Sequence, residues 1–356
     1  MYERRTFEMI NFDNCEYSVR HGEYGGQAGD KDGIIYNNEY WIIKYPKTTR
    51  GMVGNNLNSY TTSPLSEYIG SHIYDILGVD VHETVLGEKG GKIVVACKDF
   101  RKTNEILKEV RNLKNAANQQ IQESVGENFP LSATGDTVNL NELLLHFEVN
   151  PLMQLKGLEE RFWKCVIIDI FINNNDRNNG NWGVLTNEIT KEKRIAPVYD
   201  NGNSFNNKIA EDKIFDKINN MDALKNDAIG TRTAYVYNDK CLSAKKMLNL
   251  AMALEKEHPK FKEQIKETIP VINEKFNEIL RFIEELPTEY NGKVVCSEGR
   301  KMLYTEALKY RYTELLEPIY EKVTGKKLVV KATEHQKTEN DTISSKKNSK
   351  VEYDGD

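Results

Sequence analysis

The sequence predicts an α+β fold in two parts: a β-rich first part with one main helix, then a mostly helical second part. Three observations carry that expectation. Up to about residue 98, short apolar runs alternate with turn clusters at strand spacing, with a single clear helical stretch among them. Beyond it, apolar residues recur at helical spacing in long segments, at 156–171, 243–258, 260–286 and 298–322. Between them, residues 171–205, FINNNDRNNGNWGVLTNEITKEKRIAPVYDNGNSF, interrupt the helices with an Asn-rich loop and a hairpin. Runs of strands followed by runs of helices are the order of an α+β chain. The expected division is 1–98, 99–325 and a tail, 326–356. Residues 331–356 hold almost no apolar side chains and should be disordered.

In chain order, strands are expected near Thr6–Phe12 and Tyr17–Arg20, then at Ile34–Tyr36 and in YWIIKYP, with a turn at Asn37–Asn38. The loop GEYGGQAGDKDG stands between strands. Gly25, Gly26 and Gly29 would let backbone amides approach phosphate oxygens, and Lys31 is placed to reach the same anion. The alternative is an ordinary flexible hairpin loop, since GGQAGDK is not a Walker A sequence. Lys44 lies in an apolar strand, where a buried lysine needs an anionic partner. In SPLSEYIGSHIYDILG, Ser63 reads as N-cap, Pro64 as first helical residue and Gly78 as the stop, with Leu65, Ile69, Ile73 and Leu77 on one face. Glu67, in the first turn, is either the partner of Lys44 or simply a favourable charge at a helix start. Strands at Val79–Leu86 and Lys92–Cys97, joined by EKGG, complete the β-rich part, and VVACKDF leads out of it.

The second part opens with a polar, helix-compatible stretch, Arg101–Gly126, a loop, and a short helix at Asn141–Val149. In KGLEERFWKCVIIDIF, Phe162, Val166 and Ile170 share a face with Trp163, Ile167 and Phe171 beside them, which predicts a buried amphipathic helix. Asn173, Asn174, Asn175 and Asn178 must end it, because they prefer turns and caps, and Asp176 therefore sits on a loop anchored by packed helix. Trp182–Leu185 and Ile195–Tyr199 read as a hairpin that brings Asn181 and Asp200 together, a hard-oxygen pair suited to magnesium. An Asp, four intervening residues, an Asn, and a second Asp after a hairpin is what a phosphotransferase needs: one carboxylate for the acceptor hydroxyl, two oxygen ligands for metal. Beyond Phe205 the chain reads as polar and irregular to about Tyr237. Helices follow at Ser243–His258, Lys260–Leu286 with Pro270 a kink, and Glu298–Lys322 with Pro318 near its end.

Composition narrows the class. Over 356 residues the net charge is −5 with both signs interspersed, so nucleic acid is not an expected partner. No run approaches the ~18 apolar residues of a spanning helix, and MYERRTFEMINFDN lacks the apolar core of a secretory signal, so no membrane and a cytoplasmic location are expected. Cys15, Cys97, Cys165, Cys241 and Cys296 are odd in number and scattered, and the histidines lack ligand spacing, so neither a disulfide framework nor a zinc site is suggested.

With the glycine loop, YWIIKYP, SEYIG, NNNDRNNGNWG and APVYDNGNSF together, the chain resembles the bacterial HipA-like serine/threonine kinases, most of all their compact, pro-inflammatory CtkA type, over roughly residues 15–325. That resemblance implies a two-lobed, protein-kinase-like fold, with ATP as nucleotide and Mg²⁺ as metal. It implies that Lys44 contacts phosphates, that Asp176 is the catalytic aspartate and that Asn181 and Asp200 bind metal. Cys97, Lys98, Asp99 and Phe100 then fall at the hinge, where backbone groups would read adenine. Delivery to a host cell is a further implication. Three departures limit it. Too few residues precede Lys44 for the extra N-terminal subdomain of the larger HipA toxins, so docking to a HipB-like antitoxin is not carried over. No Ser or Thr lies between Gly25 and Gly33, so silencing by phosphorylation within that loop is not carried over either. Asn201-Gly202 follows Asp200, so a Phe-based switch is not implied.

The expectation is a monomeric, ATP- and Mg²⁺-dependent kinase that phosphorylates protein hydroxyls and itself, its substrates unspecified. The same core serves small-molecule or lipid acceptors, and a catalytically silent nucleotide-binding partner protein is a third reading. Lys44, Asp176, Asn181 and Asp200 together favour the first, because a scaffold would not need all four.

Overall fold

The computed structural model describes residues 7–20, 31–50, 60–125 and 138–328. Gly25, Gly26 and Gly29, and the tail expected to be disordered, lie outside them.

β2 (Lys31–Tyr36) and β3 (Glu39–Lys44) form a hairpin whose turn, Asn37–Asn38, has both residues at positive φ (50° and 60°), as the right-handed twist of paired strands requires. With β1 (Ile10–Asn11), β4 (Thr84–Lys89) and β5 (Lys92–Lys98) they make a five-stranded sheet of order β1-β4-β5-β3-β2. The side-chain period of two decides what faces where. Trp41 and Ile43 of β3 join Val94 and Ala96 of β5, Ile34 and Phe12 in a small core on one face. Val95, Cys97 and Lys44 therefore turn to the other face, against α1 (Ser63–Ile76). The expected strand at Tyr17–Arg20 is only a bridge from Tyr17 to Ile34, and α1 starts at Ser63 with Thr62 as the cap. β4 starts at Thr84 rather than Val79 because Val81 and His82 are drawn to Val198, whose carbonyl accepts from the His82 N–H at 3.0 Å.

The second part differs from expectation in several places. Arg101–Gly126 is not one helix but β6 (Glu105–Glu109) followed by α2 (Val110–Val125). β7 (Val138–Asn139) and α3 (Leu140–Val149) follow, then the buried α4 (Leu158–Ile172). The hairpin is β8 (Gly183–Asn187) with β9 (Lys193–Ile195), and β6 adds to its outer edge. β9 ends where the expected strand began: Ala196 still donates to the Gly183 carbonyl, but Val198 turns to pair with Asp80–His82 instead. The stretch expected to be irregular holds α5 (Glu211–Ile218), α6 (Met221–Ile229) and β10 (Arg232–Tyr237). α5 and α6 are only eight and nine residues long, about two turns each, too short for helical spacing to stand out from a polar stretch.

β11 (Lys240–Ser243) leads into α7 (Ala244–Ala253), capped by the Ser243 hydroxyl, and α8 (Pro259–Glu284) runs through Pro270. A small hairpin of β12 (Glu289–Tyr290) and β13 (Lys293–Val294) precedes α9 (Glu298–Arg311). The helix expected to Lys322 is broken by a π-turn at Tyr312–Leu316 before α10 (Glu317–Thr324). Pro318 has no N–H to continue the ladder, and the Glu317 N–H reaches back to the Tyr312 carbonyl instead. Arg311, fully buried at this point, donates to the carbonyls of Phe171 (3.3 Å) and Ala228 (3.1 Å), which fastens the end of α4 to the last helices.

α4 and α8 form the centre of the helical part, where Trp163 stacks on Phe261 with ring centroids 4.1 Å apart and planes 9° from parallel. Trp163→Ala should leave a cavity that packed helices cannot close. Denaturant unfolding is expected to show a loss of about 3–5 kcal/mol.

Candidate active site

The site is built on two buried ionic centres. The first is at the base of the Asn-rich loop. Asp169 stands in the apolar run of α4, 3 % exposed, and a buried carboxylate must be matched by donors. Arg177 supplies two (Nε to Oδ2 at 2.9 Å, Nη2 to Oδ1 at 3.0 Å), Tyr74 a hydroxyl at 2.8 Å and Asn174 a carboxamide N–H at 3.1 Å. Arg177 also donates to the backbone carbonyls of Asn181 (3.1 Å) and Tyr199 and to the Asn201 side chain. One guanidinium thus fixes the loop that carries Asp176 against the two hairpin ends that carry Asn181 and Asp200. α4 itself stops at Asn173, in the left-handed region at φ +57°.

The second centre is Glu67, 1 % exposed in α1. Its Oε2 accepts from Lys44 Nζ at 2.8 Å, and its Oε1 from the Asn201 N–H at 3.0 Å, with His82 Nε2 at 2.9 Å. Lys44 Nζ also donates to Asp200 Oδ1 at 2.9 Å. Burial disfavours the Lys44 ammonium, but Asp200 and Glu67 outweigh it and hold its pKa well above the ordinary lysine value. Burial likewise works against the Glu67 carboxylate, and Lys44 and His82 override it, pulling its pKa well below the usual range. Lys44 lowers that of Asp200 too, although its side chain is 38 % exposed. Asp200 has φ +61°, a conformation few side chains adopt. Two glycines permit this closeness. A β-carbon on Gly70 would meet Asn201 Cβ at 2.8 Å, and one on Gly202 would meet Glu67 Oε2 at 3.2 Å.

Lys31, Lys44, Glu67, Asp176 and Asp200 line one cavity of about 750 Å³, with Lys47, Arg50 and Lys208 on its walls. Asn181 does not line it. Its carboxamide N–H donates to the Asp176 carbonyl at 2.6 Å, and its residue faces a separate small cleft with Trp182 and Phe162. The expected hinge is also away from this cavity. Cys97 is buried beside Glu67 and His82, and its thiol is pushed well up by burial. The Lys98 and Asp99 N–H groups are spent on the carbonyls of Glu83 (2.9 Å) and Tyr40 (2.8 Å). The Asp99 carboxylate is held by Arg20 and Arg101, and the Phe100 carbonyl accepts from Arg194. Sequence reasoning missed Asp169, Arg177, His82 and Asn201. A charged residue inside the apolar run CVIIDIF was the signal for the first.

Fold and site define a two-lobed, protein-kinase-like protein. No protein-family model matches the chain. It is similar to the serine/threonine-protein kinase CtkA of Helicobacter pylori strain J99, 36% identical over 219 residues, or 60% of this chain and 62% of CtkA. The aligned part therefore spans less than two thirds of that relative. The crystal structure of a Helicobacter pylori proinflammatory kinase CtkA superposes with a TM-score of 0.74 at 26% identity, covering 89% of this chain and 98% of that one. A HipA chain from a Shewanella oneidensis MR-1 complex with HipB and operator DNA matches at TM-score 0.48 and 13% identity, over 85% and 68% of the two chains. The last is too distant to carry an argument. The resemblance to CtkA-type kinases read from the sequence is borne out by the first two.

The ionic centre sets a pH dependence. Glu67 has a depressed folded pKa, so its contribution is present above its unfolded value of about 4.3 and is lost as pH falls through the folded one. Lys44 is raised, so its share is full below an unfolded value of about 10.4 and is lost only as pH rises through the folded one. Glu67→Gln should therefore destabilise by about 3–5 kcal/mol at neutral pH, the cost of breaking a buried pair. The difference from wild type should be flat from about pH 5 to 9 and shrink below about pH 4. Thermal melts across that range check it.

Proposed function

We propose that this chain is an ATP- and Mg²⁺-dependent serine/threonine protein kinase, with the nucleotide between a lobe ending near Lys98 and the helical lobe after it. The observation that carries the reading is Lys44 held at once by Glu67 and Asp200, with Asp176 on the wall of the same cavity. An ammonium has three donors. Two are taken, so the third is aimed by its neighbours rather than by its own flexible stem. A lysine so fixed suits nucleotide phosphates, and Lys31, opposite Lys44 in the β2–β3 register, adds a second cation to the same cavity.

The donor set fits a hard divalent cation. Asp200 is kept ionised by Lys44 and is partly exposed on the cavity. Asn181 lies next to this cavity rather than on its wall, its carboxamide nitrogen committed to the Asp176 carbonyl and its side-chain oxygen left to ligate on a small shift of the loop. Asp200 and Asn181 would hold Mg²⁺, which neutralises charge on the phosphates when bound. Asp176, tied through its carbonyl to Asn181 and through its loop to Arg177, orients the acceptor hydroxyl and takes its proton. The γ-phosphoryl group leaves ATP as the acceptor oxygen bonds to it.

The two aspartates then have separable roles. Asp176→Asn should keep near-normal Mg·ATP affinity while single-turnover autophosphorylation slows by about 10²–10⁴, the worth of a positioned general base. Asp200→Ala should lose nucleotide affinity as well, as should wild type in EDTA. Calorimetry showing unchanged affinity in both of those would remove the metal assignment, and a wild-type transfer rate in Asp176→Asn would remove the catalytic one.

A further inference from the structure

Beside the cavity of Lys44, Asp176 and Asp200 lies a second groove of about 440 Å³, which shares Asn203, Asn207 and Lys208 with it. Asn173, Asn175 and Asn206 also line it, and Asn175 is the residue before Asp176. Two pairs of these carboxamides bond to each other, and a fifth is fixed by the backbone. Asn173 donates to Asn206 at 2.9 Å, Asn203 donates to Asn175, and Asn207 donates to the Gly202 carbonyl. A carboxamide has two N–H donors and two acceptor lone pairs, so one internal bond leaves the exposed Asn175 and the half-buried Asn203 and Asn206 able to meet a peptide N–H and a peptide C=O alike, while Asn173 and Asn207 are buried behind them. Asn-rich loops make turns, but turn formation does not require these carboxamides to face one groove beside Asp176. Among the residues lining it only Ile209 and Ala223 are apolar, which gives no wall for an acyl chain. Lys208 is exposed with no ion-pair partner among the described residues, and Lys213 comes no nearer than 3.8 Å to Asp212 and Asp216.

Resting on the phosphotransfer reading above, we propose that this groove is the acceptor subsite, and that the acceptor is an extended polypeptide segment with acidic side chains beside its serine or threonine. The hydroxyl reaches Asp176 from the shared rim, the flanking main chain lies along the asparagines, and its carboxylates meet Lys208 and Lys213. A small or lipid acceptor would use none of this wall.

Initial rates of the full chain with Mg·ATP on three single-serine peptides, flanked by Asp and Glu, by Ala and Gly, or by Lys, test it. A preference of about three- to tenfold in kcat/KM for the acidic over the Lys-flanked peptide is expected, the range two exposed ion pairs supply, and it should shrink in high salt. Lys213→Glu, an exposed change, should raise KM for the acidic peptide and lower it for the Lys-flanked one. A merely structural loss would not produce that inversion. Equal kcat/KM on all three peptides, indifferent to Lys213→Glu, would overturn the subsite while leaving phosphotransfer standing. Transfer to free inositol or diacylglycerol but to no peptide would also overturn it. No transfer to any acceptor or to the chain itself would overturn both readings.

Discussion

A carboxylate taken out of water must be surrounded by donors or give up its charge, and Glu67 meets that demand by drawing on distant parts of the chain. Lys44 comes from the end of an interior strand, His82 from the run before β4, and the Asn201 N–H from beyond the hairpin of the other lobe. Each donor is placed by a local rule. The alternation of β3 turns Lys44 toward α1, the pull of Val198 peels His82 out of β4, and the positive φ of Asp200 points the next N–H at Glu67. At the point where chemistry is proposed the two parts are thus joined by charge, while α1 shares one continuous apolar core with α4 and α8 behind it.

Asp169 and Arg177 repeat the arrangement one layer deeper. The pair would be a poor source of stability by itself, because desolvation offsets most of its attraction. What it supplies is geometry, since the donors left on Arg177 reach both hairpin ends and Asn201. The two centres meet at Asn201, whose backbone N–H serves Glu67 while its side chain accepts from Arg177 and donates to Ser71. Gly70 and Gly202 have no β-carbon because that junction has no room for one.

What was legible in the sequence follows from this. Lys44, Glu67, Asp176 and Asp200 could be singled out because charged residues stood in strands, helix starts or loop ends where their surroundings were apolar or turn-forming. Arg177 could not, because in DRNNGN it looks like one more polar loop residue, and only burial reveals its partners. β6 was hidden for a different reason. Glu-Ile-Leu-Lys-Glu has no alternation, and it is a strand only because β8 offers it an edge. α5 and α6 run for only about two turns each, so their periodicity has too few repeats to be read. The hinge came with the family resemblance, which puts it at the end of β5 but does not show that the Lys98 and Asp99 N–H groups already have partners.

The Arg311 anchor has a consequence for how the molecule comes into being. The carbonyl it holds at the end of α4 lies 140 positions earlier in the chain, and Lys44 and Asp200 are separated by 156. A ribosome adding roughly 5–20 residues per second would finish α4 on the order of ten seconds before it made Arg311. During that interval the loop bearing Asp176 exists as sequence but lacks its last support. An unfinished chain therefore carries every residue of the site before the end of α4 that supports its loop has been fastened, and that fastening waits on α9.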